Sequence, residues 1–560
     1  MPLLLPESMS LAARWWHTVR HLRPVQWYGR LWFRLYRPVV DARSVPAVRT
    51  PESSASWQRP IPRPGNLQLP DTFAFLNLSL RLRDVGWDSP SISRLWRYHL
   101  HYFDWLTDDQ IPPGEQRELI DRWIADNPPP FSRRIGTGWE PYPLSLRIVN
   151  WIKWDLGMQR RGTPGLTDSA TRSLAMQARQ LAARLEYHLL GNHLWANAKA
   201  LVFAGVYFAG EEADRWLAKG LRLVERELAE QVLPDGGHFE LSPMYHAIFL
   251  EDLLDLLNLY AAFPGQFRAE IASLISEKSV DMLWWLRVLT HPDGRPAQFN
   301  DCTLDGGPPV DELATFARAL GVPSAARAAT ESALLASSGY ARLKNGSAVL
   351  LADVGRAGPD YMPGHAHADA LSFELSLWDE RVFVNGGTST YDVSPERLRE
   401  RSTAAHNTVT VDGRNSSDVW SSFRLGRRIG NLSAGLREAH DDIVLEGKFE
   451  GFHHAGRQRG HRRTWKLGPQ RLEIHDEVSG PFRSCDASFR LAPGWSTTLT
   501  DRGCLIRSRD RVVSLESDVP SAIRVVNGTW SPNFGESVPV EVIRIPLRDG
   551  RGNVVLSWVD

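Results

Sequence analysis

Cysteine is scarce in this 560-residue sequence, which contains only Cys302, Cys485 and Cys504. The three positions do not have the spacing of a metal-binding motif, and an odd number leaves one cysteine without an intrachain partner. A disulfide framework is therefore excluded as the basis of the fold. We expect three buried or half-buried free thiols.

An excess of charge of one sign is also absent, because Lys+Arg and Asp+Glu both total 65. A neutral total gives no indication of binding to nucleic acid or to an anionic membrane. We therefore expect no nucleic acid among the partners. A polyanionic ligand would need a local basic groove, about which the total charge says nothing.

Long apolar runs are missing as well. The N-terminus, Met-Pro-Leu-Leu-Leu-Pro, lacks the basic region, apolar core and cleavage site of a secretory signal. The aromatic stretch 15–36 is too charged to span a bilayer, since it contains Arg20, Arg23, Arg30 and Arg34. We expect no transmembrane segment and a cytoplasmic location for the sequence as given, or a periplasmic or secreted one if a signal precedes this start. The sequence does not indicate the oligomeric state.

Several common catalytic motifs are not present. No GxGxxG follows a strand, and there is no P-loop, HExxH or GxSxG. Nucleotide-binding enzymes, zinc-dependent peptidases of the HExxH type and α/β-hydrolases are therefore not supported. We expect no nucleotide or organic cofactor.

The patterning predicts a multidomain α and β protein. Residues 37–70 are rich in Pro, Ser and Arg, which is typical of an extended linker. Segments such as 174–189 and 251–260 have apolar residues at three- and four-residue spacing, which predicts a toroid or solenoid of helical hairpins. From about residue 337 apolar residues alternate with polar ones, as in 407–412 and 471–478, which predicts an antiparallel β-sandwich. We divide the chain into an N-terminal arm and linker (1–70), a helical domain (71–335) and a β domain (336–560).

Two polar clusters lie on the predicted helical domain. Asn192 and His193, in Gly-Asn-His-Leu-Trp-Ala-Asn, precede a strongly apolar helix that they could simply cap. Tyr245 and His246, in Glu-Leu-Ser-Pro-Met-Tyr-His, follow a Pro-Asp-Gly-Gly turn, and Tyr245 could equally be a packed aromatic residue.

Two further clusters lie on the predicted β domain. His365, His367 and Asp369 lead into a strand, and alternation along an extended segment would place all three on one face. Three titratable groups on one face indicate a metal site or a site that works on a substrate. His406, in Arg-Ser-Thr-Ala-Ala-His-Asn-Thr, can join them across the sheet.

Taken together, the four motifs resemble those of the heparinase II/III-like lyases, in the same order and from about residue 95 to at least 430. The resemblance implies an N-terminal (α/α) incomplete toroid followed by a C-terminal antiparallel β-sandwich, with the active site in the cleft between them. It also implies a polysaccharide lyase that cleaves a uronic-acid-containing polymer by β-elimination. Heparan sulfate, hyaluronan, chondroitin and alginate are such anionic polysaccharides.

The resemblance further implies catalytic roles for four residues. Asn192, with His193, would neutralise the carboxylate of the uronic acid, so that an enolate-like state can form. Tyr245 would protonate the leaving oxygen and could also serve as the base for one C5 epimer, and His365 would be the base for the other epimer.

A structural divalent metal ion, first of all zinc, is implied by the same resemblance. Its ligands would be His367, His406 and a residue at the position of Asn385, where relatives tend to have aspartate. A neutral amide oxygen is a weaker ligand than a carboxylate. Either the site is weakened, or Asp369 substitutes for the missing carboxylate.

Six residues near these motifs are predicted to contact substrate: Trp139, Glu140, His246, Tyr391, Arg401 and Arg424. Two other functions remain open. A glycoside hydrolase on the same toroid would use Glu140 or Glu240. The main alternative is a non-catalytic or biosynthetic role, in which a lyase-like protein binds or trims exopolysaccharide during its assembly.

Overall fold

The structure, a computed structural model, describes residues 7–52, 56–130, 135–325, 328, 331–451 and 459–560. Helices form most of the first 320 residues, and strands form most of the rest. The α-helices are α1 (Glu7–Val19), α2 (Pro24–Leu35), α3 (Leu82–Val85), α4 (Arg94–Tyr102), α5 (Pro113–Asp126), α6 (Pro141–Arg160), α7 (Asp168–Ala183), α8 (Gly191–Tyr207), α9 (Glu211–Gln231), α10 (Pro243–Ala262), α11 (Ala269–Val288), α12 (Val310–Ala319) and α13 (Pro395–Glu400).

Helices α6, α8 and α10 form the centre of the helical domain. They are apolar over most of their surface, and in α8 every residue after His193 is buried. Helix α9 instead buries one stripe, which includes Trp216, Leu223 and Leu228, and exposes its charged side. A helix that is apolar on all sides needs neighbours all round, whereas an amphipathic helix belongs at the surface.

Three short strands precede the main helices, and all other strands follow the helical domain. Their bounds are β1 (Leu67–Gln68), β2 (Thr72–Phe75), β3 (Leu78–Arg81), β4 (Ala333–Leu335), β5 (Tyr340–Asn345), β6 (Ala348–Asp353), β7 (Phe373–Leu377), β8 (Glu380–Phe383), β9 (Val409–Val411), β10 (Val419–Trp420), β11 (Arg424–Leu425), β12 (Gly430–Ala439), β13 (Asp442–Glu450), β14 (Gly460–Gly468), β15 (Arg471–Ser479), β16 (Cys485–Arg490), β17 (Ser496–Thr500), β18 (Gly503–Ser508), β19 (Arg511–Ser517), β20 (Arg524–Trp530), β21 (Val538–Pro546) and β22 (Arg551–Trp558).

Three sheets make up most of the β domain. Their strand orders are β4-β5-β6-β7-β8, β12-β13-β14-β15-β22-β19-β18-β17 and β20-β21-β16-β9, and neighbouring strands in each are antiparallel. Strands β10 and β11 form a separate hairpin. The predicted order of a helical domain followed by an antiparallel β domain is confirmed.

The five-stranded sheet lies between two apolar cores. In β6, Val349 and Leu351 belong to the core of the helical domain, whereas Leu350 and Ala352 belong to the core of the β domain. Since successive side chains of a strand point to opposite faces, one sheet can join both cores. This apolar junction fixes the two domains against each other.

All three cysteines are free and buried, as expected. Among the described residues, no helix combines the length and the apolar character needed to span a bilayer.

Candidate active site

A cleft of about 1670 Å³ lies between the helical domain and the β domain. Helices α1 and α2, the loop before β7 and the hairpin β10–β11 contribute to its walls. Eight of the residues singled out from the sequence line this cleft: Glu140, Asn192, His193, Glu240, Tyr245, His365, Tyr391 and Arg424.

Asn192 and His193 occupy the first turn of α8. The helix begins at Gly191 with a φ of +50°, and a Cβ atom there would approach Glu240 and Met362 too closely. The backbone N–H of Asn192 donates to Glu240 Oε1 at 3.3 Å. His193 Nδ1 lies 3.2 Å from Glu186 Oε1, and its ring packs on Tyr142. The side chains of both residues are thereby presented to the cleft.

Tyr245 occupies the first turn of α10. Ser242 caps this helix, because its Oγ accepts the Tyr245 N–H at 3.3 Å while donating to the carbonyl of Asp301 at 2.6 Å. The Tyr245 hydroxyl lies 3.2 Å from that of Tyr391, and the ring centroids of Tyr245 and His365 are 4.0 Å apart. Burial, and then the neighbouring Tyr391, raise the pKa of Tyr245 well above its usual range. Tyr245 is therefore a neutral phenol that can donate a proton.

His365 is held by the buried carboxylate of Asp301. His365 Nδ1 lies 2.9 Å from Asp301 Oδ2, and His367 Nε2 lies 2.9 Å from Oδ1. Arg397 donates to both oxygens. Burial alone would raise the pKa of Asp301, but the Arg397 charge and the histidine hydrogen bonds hold it well below its usual range. Because an ionised carboxylate only accepts, the proton of neutral His365 is on Nδ1, and Nε2 keeps its lone pair.

The free nitrogen of His365 faces a second acid. Glu240 Oε2 lies 3.4 Å from His365 Nε2. Burial raises the pKa of the Glu240 carboxyl. The base candidate therefore sits between an ionised carboxylate and a carboxyl that is more easily protonated than usual.

The buried residues His367, Asp369 and His406 form the one group that could hold a metal ion among the described residues, with candidate ligand atoms within 4.8 Å of one another. His367 donates through Nε2 to Asp301, and His406 donates through Nδ1 to the Ser402 carbonyl at 2.7 Å. The remaining nitrogens, His367 Nδ1 and His406 Nε2, then face each other as lone pairs at 3.1 Å. Burial lowers the pKa of each ring to about 4, so a shared proton does not explain this contact at neutral pH.

This donor set fits a tetrahedral metal ion. Two nitrogens bound to one zinc ion stand roughly 3.3 Å apart, given Zn–N bonds of ~2.0–2.1 Å. The carboxylate in the group is that of Asp369, the substitute considered from the sequence. Asn385 Oδ1 instead accepts the Asn407 N–H at 3.2 Å, and the buried Asn385 amide nitrogen has no hydrogen-bond partner within the described ranges.

The segment that contains His365, His367 and Asp369 is a loop, since β7 begins only at Phe373. The segment leads into a strand, as expected, but the three residues themselves lie in a loop, so regular alternation along an extended segment does not bring their side chains together. Backbone contacts with the helical domain shape the loop: Asp301 N–H donates to the His365 carbonyl at 3.0 Å, and His367 N–H donates to Asn300 Oδ1 at 2.9 Å.

Three residues predicted to contact substrate are buried away from the cleft lining. The indole of Trp139 donates to the Asn127 carbonyl. His246 stacks on Trp285, with both ring nitrogens engaged by backbone groups, and burial lowers its pKa to about 3. Arg401 donates to two backbone carbonyls, and burial lowers its pKa to about 9. The structure gives these three residues packing and hydrogen-bonding roles.

The other three predicted substrate residues lie in the cleft. Glu140 accepts hydrogen bonds from Arg94 and Tyr98. Tyr391 meets Tyr245, as described above. The Arg424 guanidinium packs on two tryptophan rings.

The sequence did not single out Asp301 or Arg397. Asp301 follows a turn and an apolar stretch, and Arg397 lies in a short helix whose charges are typical of an exposed surface. Both side chains are completely buried, and only the tertiary structure brings them together. The weak signal available was an Asn-Asp pair placed directly after apolar residues.

Fold and cleft define a two-domain protein of the (α/α) toroid and β-sandwich class. A crystal structure of heparinase III aligns over 95% of this chain and 89% of its own, with a TM-score of 0.65 and 17% sequence identity. The family descriptions "Heparinase II/III N-terminus" and "Heparinase II/III-like, C-terminal" match residues 117–309 and 327–559. The chain therefore belongs to the heparinase II/III-like family.

Individual relatives are distant. Heparin-sulfate lyase of Bacteroides stercoris is 28% identical over 273 residues, which cover 45% of this chain and 40% of that protein. FtsZ-localized protein C of Caulobacter vibrioides is 27% identical over 415 residues, which cover 72% of this chain and 68% of that protein. The matched regions span about half or less of the heparin-sulfate lyases of Bacteroides stercoris and Pedobacter heparinus.

Proposed function

We propose that this protein is a polysaccharide lyase that cleaves a uronate-containing polymer of the glycosaminoglycan type by β-elimination. The observation that carries the proposal is the Tyr245–His365 pair, a phenol and an imidazole whose ring centroids are 4.0 Å apart in the cleft. The two groups are complementary, since Tyr245 has a proton to give and His365 Nε2 has a free lone pair. The relatives named as heparin-sulfate lyases support the same chemistry.

The first requirement of β-elimination is to make the C5 proton acidic. The uronate carboxylate must be bound by hydrogen-bond donors, because a developing enolate adds charge to it. Asn192 lines the cleft and has a side-chain amide that can donate, and Glu240, whose Oε1 accepts the Asn192 backbone N–H, offers a carboxyl with a raised pKa beside it. We assign carboxylate binding to Asn192, assisted by His193.

Proton transfer and bond cleavage then follow. The C5 proton passes to His365 Nε2, a C4–C5 double bond forms, and the bond between C4 and the glycosidic oxygen breaks. Tyr245 gives its proton to the departing oxygen, and Tyr391 stabilises the phenolate through the 3.2 Å contact between the hydroxyls. Asp301 keeps His365 in the required tautomer, because its ionised carboxylate accepts the Nδ1 proton.

We further propose that His367, Asp369 and His406 hold a structural divalent metal ion, with zinc as the first candidate. A bound ion would satisfy the two facing lone pairs and fix the loop that carries His365. The elimination steps use protein side chains alone.

A second candidate is a polysaccharide-binding protein without lyase activity. The match to FtsZ-localized protein C favours it, because that relative aligns over more of this chain than the lyase from Bacteroides stercoris does, and its name describes a location rather than a reaction. The two candidates differ in whether unsaturated uronate ends are formed.

The test is a screen of uronate polymers for ultraviolet absorbance of 4,5-unsaturated ends. For the lyase we expect absorbance to rise with wild-type protein and Tyr245→Phe to lose roughly 10²–10⁴-fold in rate, the usual contribution of a positioned acid. Tyr391→Phe is the matched control, because it removes the same hydroxyl contact but not the acid, and we expect about tenfold loss from the missing hydrogen bond. Full activity of Tyr245→Phe on a cleaved polymer would refute the mechanism, and binding without any unsaturated product would favour the second candidate.

A further inference from the structure

We infer that α2 and β11 build an anion-binding subsite from Arg30, Arg34 and Arg424, which holds the carboxylate or sulfate of a sugar beside the reacting one. The choice of an acidic polysaccharide as ligand rests on the proposed function. The subsite itself rests on placement, charge and packing of the three arginines.

Helix α2 is fixed in place as part of the cleft wall. Phe33 stacks on His188 with ring centroids 4.1 Å apart, and its carbonyl accepts Arg184 at 3.0 Å. Gly29 permits this close approach, since a Cβ atom there would stand 3.0 Å from His188 Cβ. On the side of the β domain, Gln26 donates to the Tyr361 carbonyl at 3.1 Å. The helix thus bridges both domains and cannot be treated as a loose arm.

One face of α2 presents arginines to the cleft. Arg30 and Arg34 are four residues apart, so they lie on the same side of the helix, and both line the cleft together with Arg424. Burial lowers the pKa of Arg30, and the nearby charges of Arg424 and Arg34 lower it further. The three guanidinium groups therefore act on one another in a single patch.

The patch is not neutralised by the protein. Within the described part of the chain, no carboxylate lies within 4.0 Å of the guanidinium of Arg30, Arg34 or Arg424. Four other cations that line the cleft have acidic partners, in the pairs Arg63–Glu251, Arg94–Glu140, Lys153–Asp255 and Lys199–Asp252. Arg184, also in the lining, donates to the Phe33 carbonyl instead. Carboxylates therefore balance four cations of the cleft, but not Arg30, Arg34 and Arg424. These three arginines can offer positive charge to a ligand at one place.

Arg424 is held rigidly. Its guanidinium lies 4.3 Å from the ring centroid of Trp15 and 4.7 Å from that of Trp420. Thr18 of α1 ties the hairpin to the helix, since its hydroxyl accepts the Trp420 indole N–H at 3.1 Å and lies within hydrogen-bond distance of the carbonyls of Leu425, at 3.1 Å, and Arg14, at 2.8 Å. A guanidinium fixed by stacking keeps its edge free and loses little freedom when it binds a carboxylate or sulfate.

The subsite adjoins the reacting pair. Phe423, directly before Arg424, packs with its ring centroid 5.9 Å from that of His365 and 5.1 Å from that of Tyr391. A chain of sugars that reaches His365 therefore passes Phe423 and meets the arginine patch next. Helix α2 lies outside residues 117–309 and 327–559, the ranges matched by the family descriptions, so Arg30 and Arg34 come from a segment that those descriptions do not cover, whereas Arg424 lies inside the second range.

The test measures binding without turnover, in the full chain that carries Tyr245→Phe. Labelled heparan sulfate, hyaluronan and neutral dextran are titrated at several salt concentrations into this protein, into its Arg30→Gln/Arg34→Gln derivative and into its Arg424→Gln derivative. Arg502→Gln/Arg551→Gln is the matched control, because these arginines lie outside the cleft and their side chains are largely exposed.

We expect each cleft variant to weaken binding of an acidic polymer by about tenfold or more, as for loss of charge-assisted hydrogen bonds, and to reduce its salt dependence. Loss for hyaluronan as well as heparan sulfate indicates a carboxylate ligand, and loss for heparan sulfate alone indicates sulfate. Affinity and salt dependence equal to those of the control would overturn the subsite. A second set of the same arginine variants keeps Tyr245, so that cleavage can be measured. Arginine-dependent binding, with no unsaturated product from the protein that keeps Tyr245, would leave the subsite standing and refute the lyase. Cleavage with an unchanged KM in the arginine variants that keep Tyr245 would refute the subsite and leave the lyase standing.

Discussion

Replacement of Asp301 by asparagine tests the central arrangement of the site. The Asp301 carboxylate is fully buried and accepts hydrogen bonds from His365, from His367 and from both terminal nitrogens of Arg397. An amide at this position can accept fewer hydrogen bonds and can donate to His365 Nδ1. The proton of His365 would then move to Nε2, and the ring could no longer serve as a base.

The expected magnitudes differ for stability and for activity. Removing one partner of a buried ion pair typically costs about 3–5 kcal/mol, because the other charge remains buried without compensation. The reaction should slow by roughly 10³–10⁴-fold when the base is in the wrong tautomer. This estimate follows the serine-protease triad, in which replacing the aspartate by asparagine puts the histidine in the wrong tautomer. Asp301→Asn should therefore unfold at a lower temperature and lose most lyase activity even where it is folded.

A double-mutant cycle separates the two effects. Arg397→Gln alone leaves the carboxylate uncompensated, whereas Asp301→Asn/Arg397→Gln removes both charges. We expect the double variant to be roughly 2–3 kcal/mol more stable than the sum of the single losses predicts, because contacting residues couple. Calorimetry gives the stabilities, and initial rates of unsaturated-end formation give the activities. Additive stability losses, or a folded Asp301→Asn protein within tenfold of wild-type activity, would refute the reasoning.

Two further predictions concern histidines. Burial lowers the pKa of His246 to about 3 from ~6.5 in an unfolded chain, so between these values only the unfolded state takes up the proton and stability falls with falling pH. When the pH falls from 7 to 5, the free energy of unfolding of the wild-type protein should decrease by about 2 kcal/mol more than that of His246→Gln, at ~1.4 kcal/mol per pH unit. Urea unfolding at the two pH values measures this difference. Equal decreases in the two proteins would contradict the prediction. His406→Ala should lower the bound metal below the ~1 equivalent per chain that is expected for one site. Elemental analysis measures the metal content, and Asn385→Ala is the comparison. Equal metal content in wild type and His406→Ala would argue against the site.

Sequence patterns were sufficient for the fold because they are local. Apolar spacing located the central helices, and alternation located the sheets. Motifs likewise found Asn192, Tyr245 and His365, which come from three distant segments and meet at the cleft. Asp301 and Arg397 were missed because their partners are far away along the chain, and nothing nearby distinguishes them from surface charges.

Membership of the same motif as Tyr245 misled the prediction for His246. Tyr245 and His246 are neighbours in sequence, but successive residues of an α-helix point about 100° apart, at 3.6 residues per turn. One side chain faces the cleft, and the other packs on Trp285 in the interior. The sequence motif alone does not show which of the two side chains, Tyr245 or His246, faces the cleft.

The contacts of Asp301 also limit how the protein can move. Its backbone carbonyl accepts Ser242, the residue that caps the helix of Tyr245, while its side chain binds three residues of the β domain. Rotation of one domain away from the other would break these bonds together. If the protein opens to admit a long polymer, the hinge must therefore leave Tyr245 and His365 paired, and the displacement must occur at other walls of the cleft.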